Sequence, residues 1–105
     1  MQQRDYIERL IAQIAAFLAR IVGATRDGDL QAAEQTLDEA WRALGMRRGD
    51  VMRLDDATLR MLLGAKTPLA ADLLDAQAAV EEARANIQLA DDLRRRATQL
   101  RAGKA

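Results

Sequence analysis

Any chemistry in this chain must come from carboxylates and guanidinium groups, because its 105 residues include no His and no Cys. That removes the side chain that titrates nearest neutral pH, the commonest metal ligand and the best nucleophile together. Disulfides and thiolate zinc sites go with them. Glu34 and Asp38 stand four apart, on one face of any helix that carries them. Glu81 has no acidic mate on its face. Helical bundles that hold two metals use Glu-x-x-His pairs, and this sequence has none, so the carboxylates are expected on solvated helix faces. The six glycines are scattered, with no GxxxxGK[ST] loop to cradle phosphate. No metal or cofactor is expected, and no enzymatic activity.

Basic residues gather once, as Arg94, Arg95, Arg96, Arg101 and Lys104. They suggest an alternative function, binding of nucleic acid or another anionic surface. Three features oppose it. The chain carries 16 bases and 16 acids, a formal net charge of zero, whereas phosphate binders carry a cationic surplus. No aromatic side chain lies nearby to stack on a base. Asp91 with Arg95, and Asp92 with Arg96, have the i,i+4 spacing of intrahelical ion pairs. Arg48-Gly49-Asp50 matches a cell-adhesion tripeptide, but three residues recur by chance, and here Gly49 reads as a turn and Asp50 as a helix cap. The aromatic residues Tyr6, Phe17 and Trp41 are candidate interface anchors. Phe17 and Trp41 also fall on apolar stripes, which favours packing against each other in the core. Tyr6 lies beside its stripe.

The elements that must position these residues are helices. Leu and Ala dominate, and there is one proline. Ile7, Leu10, Ile11, Ile14, Phe17, Leu18, Ile21 and Val22 form one stripe of a first helix from about residue 4 to 22, capped by Gly23. A second helix is predicted from Asp29 to Leu44, closed by Gly45 and antiparallel to the first. Residues 46–66 read as a connector with two short helical pieces, one capped by Asp50 and one by Asp55. Its Val51, Leu54, Leu59, Leu62 and Leu63 are expected to seal one end of the core. Thr67 and Pro68 then open a helix, as cap and first residue. Residues 69–100 contain no Gly or Pro and read as one helix of about 34 residues or as two. The apolar phase shifts near Ala85–Asn86, from Leu69, Leu73, Ala76, Val80, Ala83 and Ile87 to Ala90, Leu93, Ala97 and Leu100, which favours two with Asn86 as cap.

The segment "GDLQAAEQTLDEAW", residues 28–41, resembles the second helix of a tetratricopeptide repeat. Gly28, Asp29, Ala33 and Ala40 occupy the Gly-Asp and small-residue positions, and Leu37 and Leu44 the larger packing positions. Small residues let two helices approach closely. A second copy of the pattern appears in Ala85-Asn86, Ala90 and Ala97. It lies 57 residues on, measured from Ala33 to Ala90, rather than the ~34 of a regular array. Phe17 stands where the repeat family prefers an aromatic, but Arg20 and Ile21 stand where it prefers Leu and Gly. The whole chain is also similar to a group of small uncharacterised bacterial proteins that open with an RDYI-type helix, here "RDYIERLIAQIAAFLARIVG" at residues 4–23. That likeness implies fold and brings no activity.

Together these readings predict an all-α fold, a compact array of antiparallel helical hairpins. Four longer helices and one or two short ones form a single domain over residues 1–105, with hairpins at 4–44 and 68–102. "MQQRDYIERL" has no basic region leading into an apolar one, and the longest apolar run, residues 14–19, is too short for a bilayer, so a cytoplasmic protein is expected. Residues 27–46 and 67–83 each carry a net charge of −4, and residues 84–105 a net +4. Such segmental charge suits helices packed on complementary faces and self-association. The expected function is a non-enzymatic protein–protein interaction module, an adaptor or a self-assembling unit. Its partner is another protein, itself as a homo-oligomer, or both. The candidate contact residues are Tyr6, Trp41, Arg94, Arg95, Arg96 and Arg101.

Overall fold

A computed structural model of the chain describes residues 2–103, with side chains from Arg4 onward. Among these residues there are helices and no strands. Four longer helices are α1 (Gln2–Arg26), α2 (Leu30–Ala43), α5 (Thr67–Ala83) and α6 (Ile87–Ala102). Between α2 and α5 lie the short α3 (Arg48–Val51), α4 (Asp56–Leu63) and a 3-10 turn at Gly64–Lys66. The array measures 41 × 25 × 20 Å. No helix among the described residues is long and apolar enough to cross a membrane.

The central element is α5. It packs against α1, α2 and α6, with α4 and the 3-10 turn at its start. Its sequence explains the position: Ala70, Ala71, Leu73, Leu74, Ala76, Ala78 and Val80 are all buried, so the helix is apolar around much of its circumference. Pro68 sits in its first turn. Thr67 is the first residue of α5 rather than its cap, and its hydroxyl donates back to the Gly64 carbonyl at 2.8 Å. Buried side chains from all four long helices and from α3 and α4 form one continuous cluster around Trp41, Leu37, Leu59, Leu73 and Leu93.

The chain breaks between α5 and α6, as the phase change predicts. The turn there repeats the turn between α1 and α2. Gly28 and Ala85 both take a left-handed conformation, with φ of 80° and 69°. The residues that follow, Asp29 and Asn86, have φ/ψ of −87/74° and −87/70°. Matching backbone bonds close each turn: Asp29 N–H donates to Ala24 O at 2.9 Å and Asn86 N–H to Glu81 O at 2.8 Å. Beyond each turn, the small residues Ala33 and Ala40, and Ala90 and Ala97, are fully buried. The two turns thus share a closing geometry 57 residues apart, the spacing of Ala33 and Ala90.

Several local expectations are corrected. Helix α1 runs through Gly23 to Arg26, and Gly28 provides the left-handed residue instead. Asp50 lies inside α3, whose cap position is Arg47, whereas Asp29 and Asp55 do cap α2 and α4 through Ala32 N–H and Thr58 N–H. Asn86 occupies the cap position of α6, but its side chain turns back to donate to Glu81 Oε1 at 2.7 Å. Of the α1 stripe only Leu10, Ile14 and Ile21 are fully buried, while Ile11 and Val22 remain 48 % and 49 % exposed. The cause is geometric. Only α2 and α5 pack broadly on α1, and together they cover a sector narrower than the stripe. Leu62 and Ile87 likewise face outward, at 55 % and 53 % exposed, and Ala83 is exposed.

Candidate interaction groove

Glu34 and Asp38 project from the same side of α2, one turn apart, as their spacing requires. They are not free in solvent. Arg48, at the start of α3, places Nε 2.7 Å from Asp38 Oδ1 and donates from Nη2 to Glu34 Oε1 at 3.2 Å. Arg84, just after α5, pairs with the other oxygen of Glu34. One carboxylate therefore ties the connector to α2 and to the end of α5. Arg48 and Glu34 keep only 22 % and 27 % of their side-chain exposure, which strengthens the pairing relative to an open surface pair. Next to them the largely buried Glu81 accepts from Asn86.

This network forms part of the wall of an open groove of ≈ 830 Å³ bounded by α2, α3, α5 and α6. Its apolar lining is Met46, Met52 and Leu89. Met52 and Leu89 are exposed in part, at 38 % and 39 %. Arg42 and Arg47 complete the rim and form no ion pair among the described residues. Flexible Met side chains thus stand over fixed ion pairs. No group of three or more His, Cys, Asp or Glu gathers to hold a metal among the described residues.

The basic residues of α6 are placed quite differently from a phosphate-binding stripe. Arg94 pairs with Glu82 at 2.9 Å. Arg95 pairs with Asp92 at 3.1 Å, three residues away rather than with the expected Asp91. Arg96 turns from Asp92 to Asp56, 3.0 Å away, and donates to the Val51 carbonyl at 3.0 Å. Arg101 spans Asp72 and Asp75 at 2.7 and 2.8 Å. Its hydrogen bond to Asp72, followed by that to Asp75, holds the guanidinium pKa above its ordinary value despite some desolvation. Each of these arginines fastens α6 to α3, α4 or α5 or stays within α6. Lys104 lies outside the described residues.

Trp41 is fully buried and presents no atom to a partner. Phe17 is half-buried against the core, with the Arg20 guanidinium 5.6 Å from its ring centre. Tyr6 stands 45 % exposed near the start of α1. Arg48 and Arg84 are not legible in the sequence as the partners of Glu34. They lie 14 and 50 positions away, where no helical spacing rule reaches. Met52 and Leu89 are equally illegible, because single apolar residues on short or polar segments carry no periodic signal. No protein-family model, curated protein or solved structure matches this chain.

Proposed function

We propose that this protein is a non-enzymatic protein–protein interaction module built from two tetratricopeptide-like helical hairpins, serving as an adaptor or a self-assembling unit. The observation that carries the reading is the groove, where Met46, Met52 and Leu89 stay accessible beside a fixed Arg48–Glu34–Arg84 bridge. Two supports come from the hairpins. Both close through the same left-handed turn, and both bury paired alanines at the positions where the repeat pattern places small residues. Binding would bury the apolar lining, while Arg42 and Arg47 orient a partner segment that carries carboxylates. The anionic-surface alternative is the weaker reading, because a phosphate would have to displace Glu82, Asp56, Asp72 or Asp75 from arginines already paired.

The test is a nuclease-treated, tagged pull-down from the source cells at low and high salt. Wild type is compared with Met52→Glu and Leu89→Glu, each first checked for an unchanged melting temperature. A protein retained at high salt by wild type and lost by both variants is the expected result. Recovery of nucleic acid alone in a parallel untreated sample, lost at high salt and indifferent to both substitutions, would overturn the proposal.

A further inference from the structure

The outer face of α1 is a second surface. Glu8, Ile11, Ala15, Leu18, Val22 and Thr25 follow one another at alternating intervals of three and four, the spacing of a helix seam that packs on another helix. At 100° per residue, Ile11, Leu18 and Val22 lie about 60–100° round the helix from the buried line of Leu10, Ile14 and Ile21. Ile11 and Val22 are half exposed, and Leu18 is partly buried at the edge of the core. No α1 residue lines the groove.

We infer that this face docks on the same face of a second copy of the chain, antiparallel and about a two-fold axis. Charge complementarity selects both the occupant and the direction. Asp5 lies near one end of the seam and Arg26 at the other, and neither forms an ion pair among the described residues. In the antiparallel register Asp5, on the flank of the seam, meets Arg26 of the second copy. A parallel pairing would instead gather like charges, with both Asp5 side chains at one end and both Arg26 side chains at the other. Side-chain volume agrees. Ile11 faces Val22, the small Ala15 faces Leu18, and Ala12 on the flank faces Ala19, so the backbones approach closely. The seam from Asp5 to Arg26 is about 32 Å long and about 10 Å wide. That is roughly 300 Å² of projected face against the ~800 Å² per partner of a standard stable interface. The dimer therefore belongs to the weak, exchanging class, with dissociation in roughly the micromolar to millimolar range.

The absence of native cysteine makes the register directly testable. Ile11→Cys and Val22→Cys are prepared separately, mixed at high protein concentration and oxidised. Abundant disulfide dimer in the mixture, with little from either variant alone, is expected, because identical positions stand about 16 Å apart along the axis in this register. Equal cross-linking of each variant with itself, or no more than a Gln35→Cys surface control gives, would overturn the inference. Sedimentation equilibrium supplies the charge test. Asp5→Arg is expected to weaken association at least several-fold, and Asp5→Arg combined with Arg26→Asp to restore it. A monomer up to about 1 mM, or no rescue by the charge swap, would overturn it as well. Met52→Glu should leave the cross-link unchanged, so failure here is separable from failure at the groove.

Discussion

Ala85 is the described non-glycine residue with positive φ, at 69°, and replacing it with glycine should stabilise the protein. An L-residue in the left-handed region costs roughly 1–2 kcal/mol through the approach of Cβ to the following carbonyl. Ala85→Gly removes that strain. It also frees the unfolded chain, which returns about 0.4–1 kcal/mol of the gain. The exposed methyl contributes little packing. The net expected gain is about 0.5–1 kcal/mol, equivalent to a rise in melting temperature of about 2–8 °C for a domain of this size. The matching turn supplies the control. Gly28 has the same conformation, and a Cβ built there meets nothing within 4 Å, so Gly28→Ala should lose a similar amount through the backbone alone. Trp41 is the chain's single tryptophan and is fully buried, so its fluorescence reports unfolding in urea or on heating without a label. An Ala85→Gly protein that melts at or below the wild-type temperature would refute the left-handed assignment and with it the equivalence of the two turns.

Two further effects follow from the pairing and capping described above. Glu34→Gln keeps the shape but removes the charge between Arg48 and Arg84, and it should cost about 1–2 kcal/mol, between an exposed ion pair and a fully buried one; chemical denaturation at low and high salt measures this, with the difference shrinking as salt rises. Asp55 caps α4, and the hydrogen bonds it accepts from Thr58 hold its carboxyl pKa below the ordinary value. A carboxylate with a lowered folded pKa adds stability that is present above its unfolded pKa and lost as pH falls through the folded one. Denaturation midpoints between about pH 2 and pH 6 should therefore fall less steeply toward acid in Asp55→Asn than in wild type, and an identical acid limb would show that the cap carries no pH-dependent stability.

The helices were legible in the sequence because their signals are local. Apolar phase places α2 within a residue of its observed ends, and the change of phase near Ala85 marks the break before α6. The turn at Ala85–Asn86 forms without glycine, and Ala90 and Ala97 beyond it are fully buried, because close helix packing constrains them independently of the turn residue. Burial was less legible where it depends on how many neighbours a helix acquires. Periodicity predicts a wide apolar stripe on α1, yet only α2 and α5 pack broadly on it, and Ile11 and Val22 stay outside. The groove was least legible. Glu34 and Asp38 looked like ordinary solvated carboxylates until the connector delivered Arg48 and the end of α5 delivered Arg84. The same limit explains the arginines of α6. Their i,i+4 partners were available within the helix, but Arg96 reaches instead to Asp56 and Val51, where it is only 17 % exposed. Reduced screening there favours the tertiary partner over the intrahelical one. The charges around Glu34 and along α6 therefore fix helix positions, while Ile11 and Val22 on α1 and Met52 and Leu89 in the groove stay exposed.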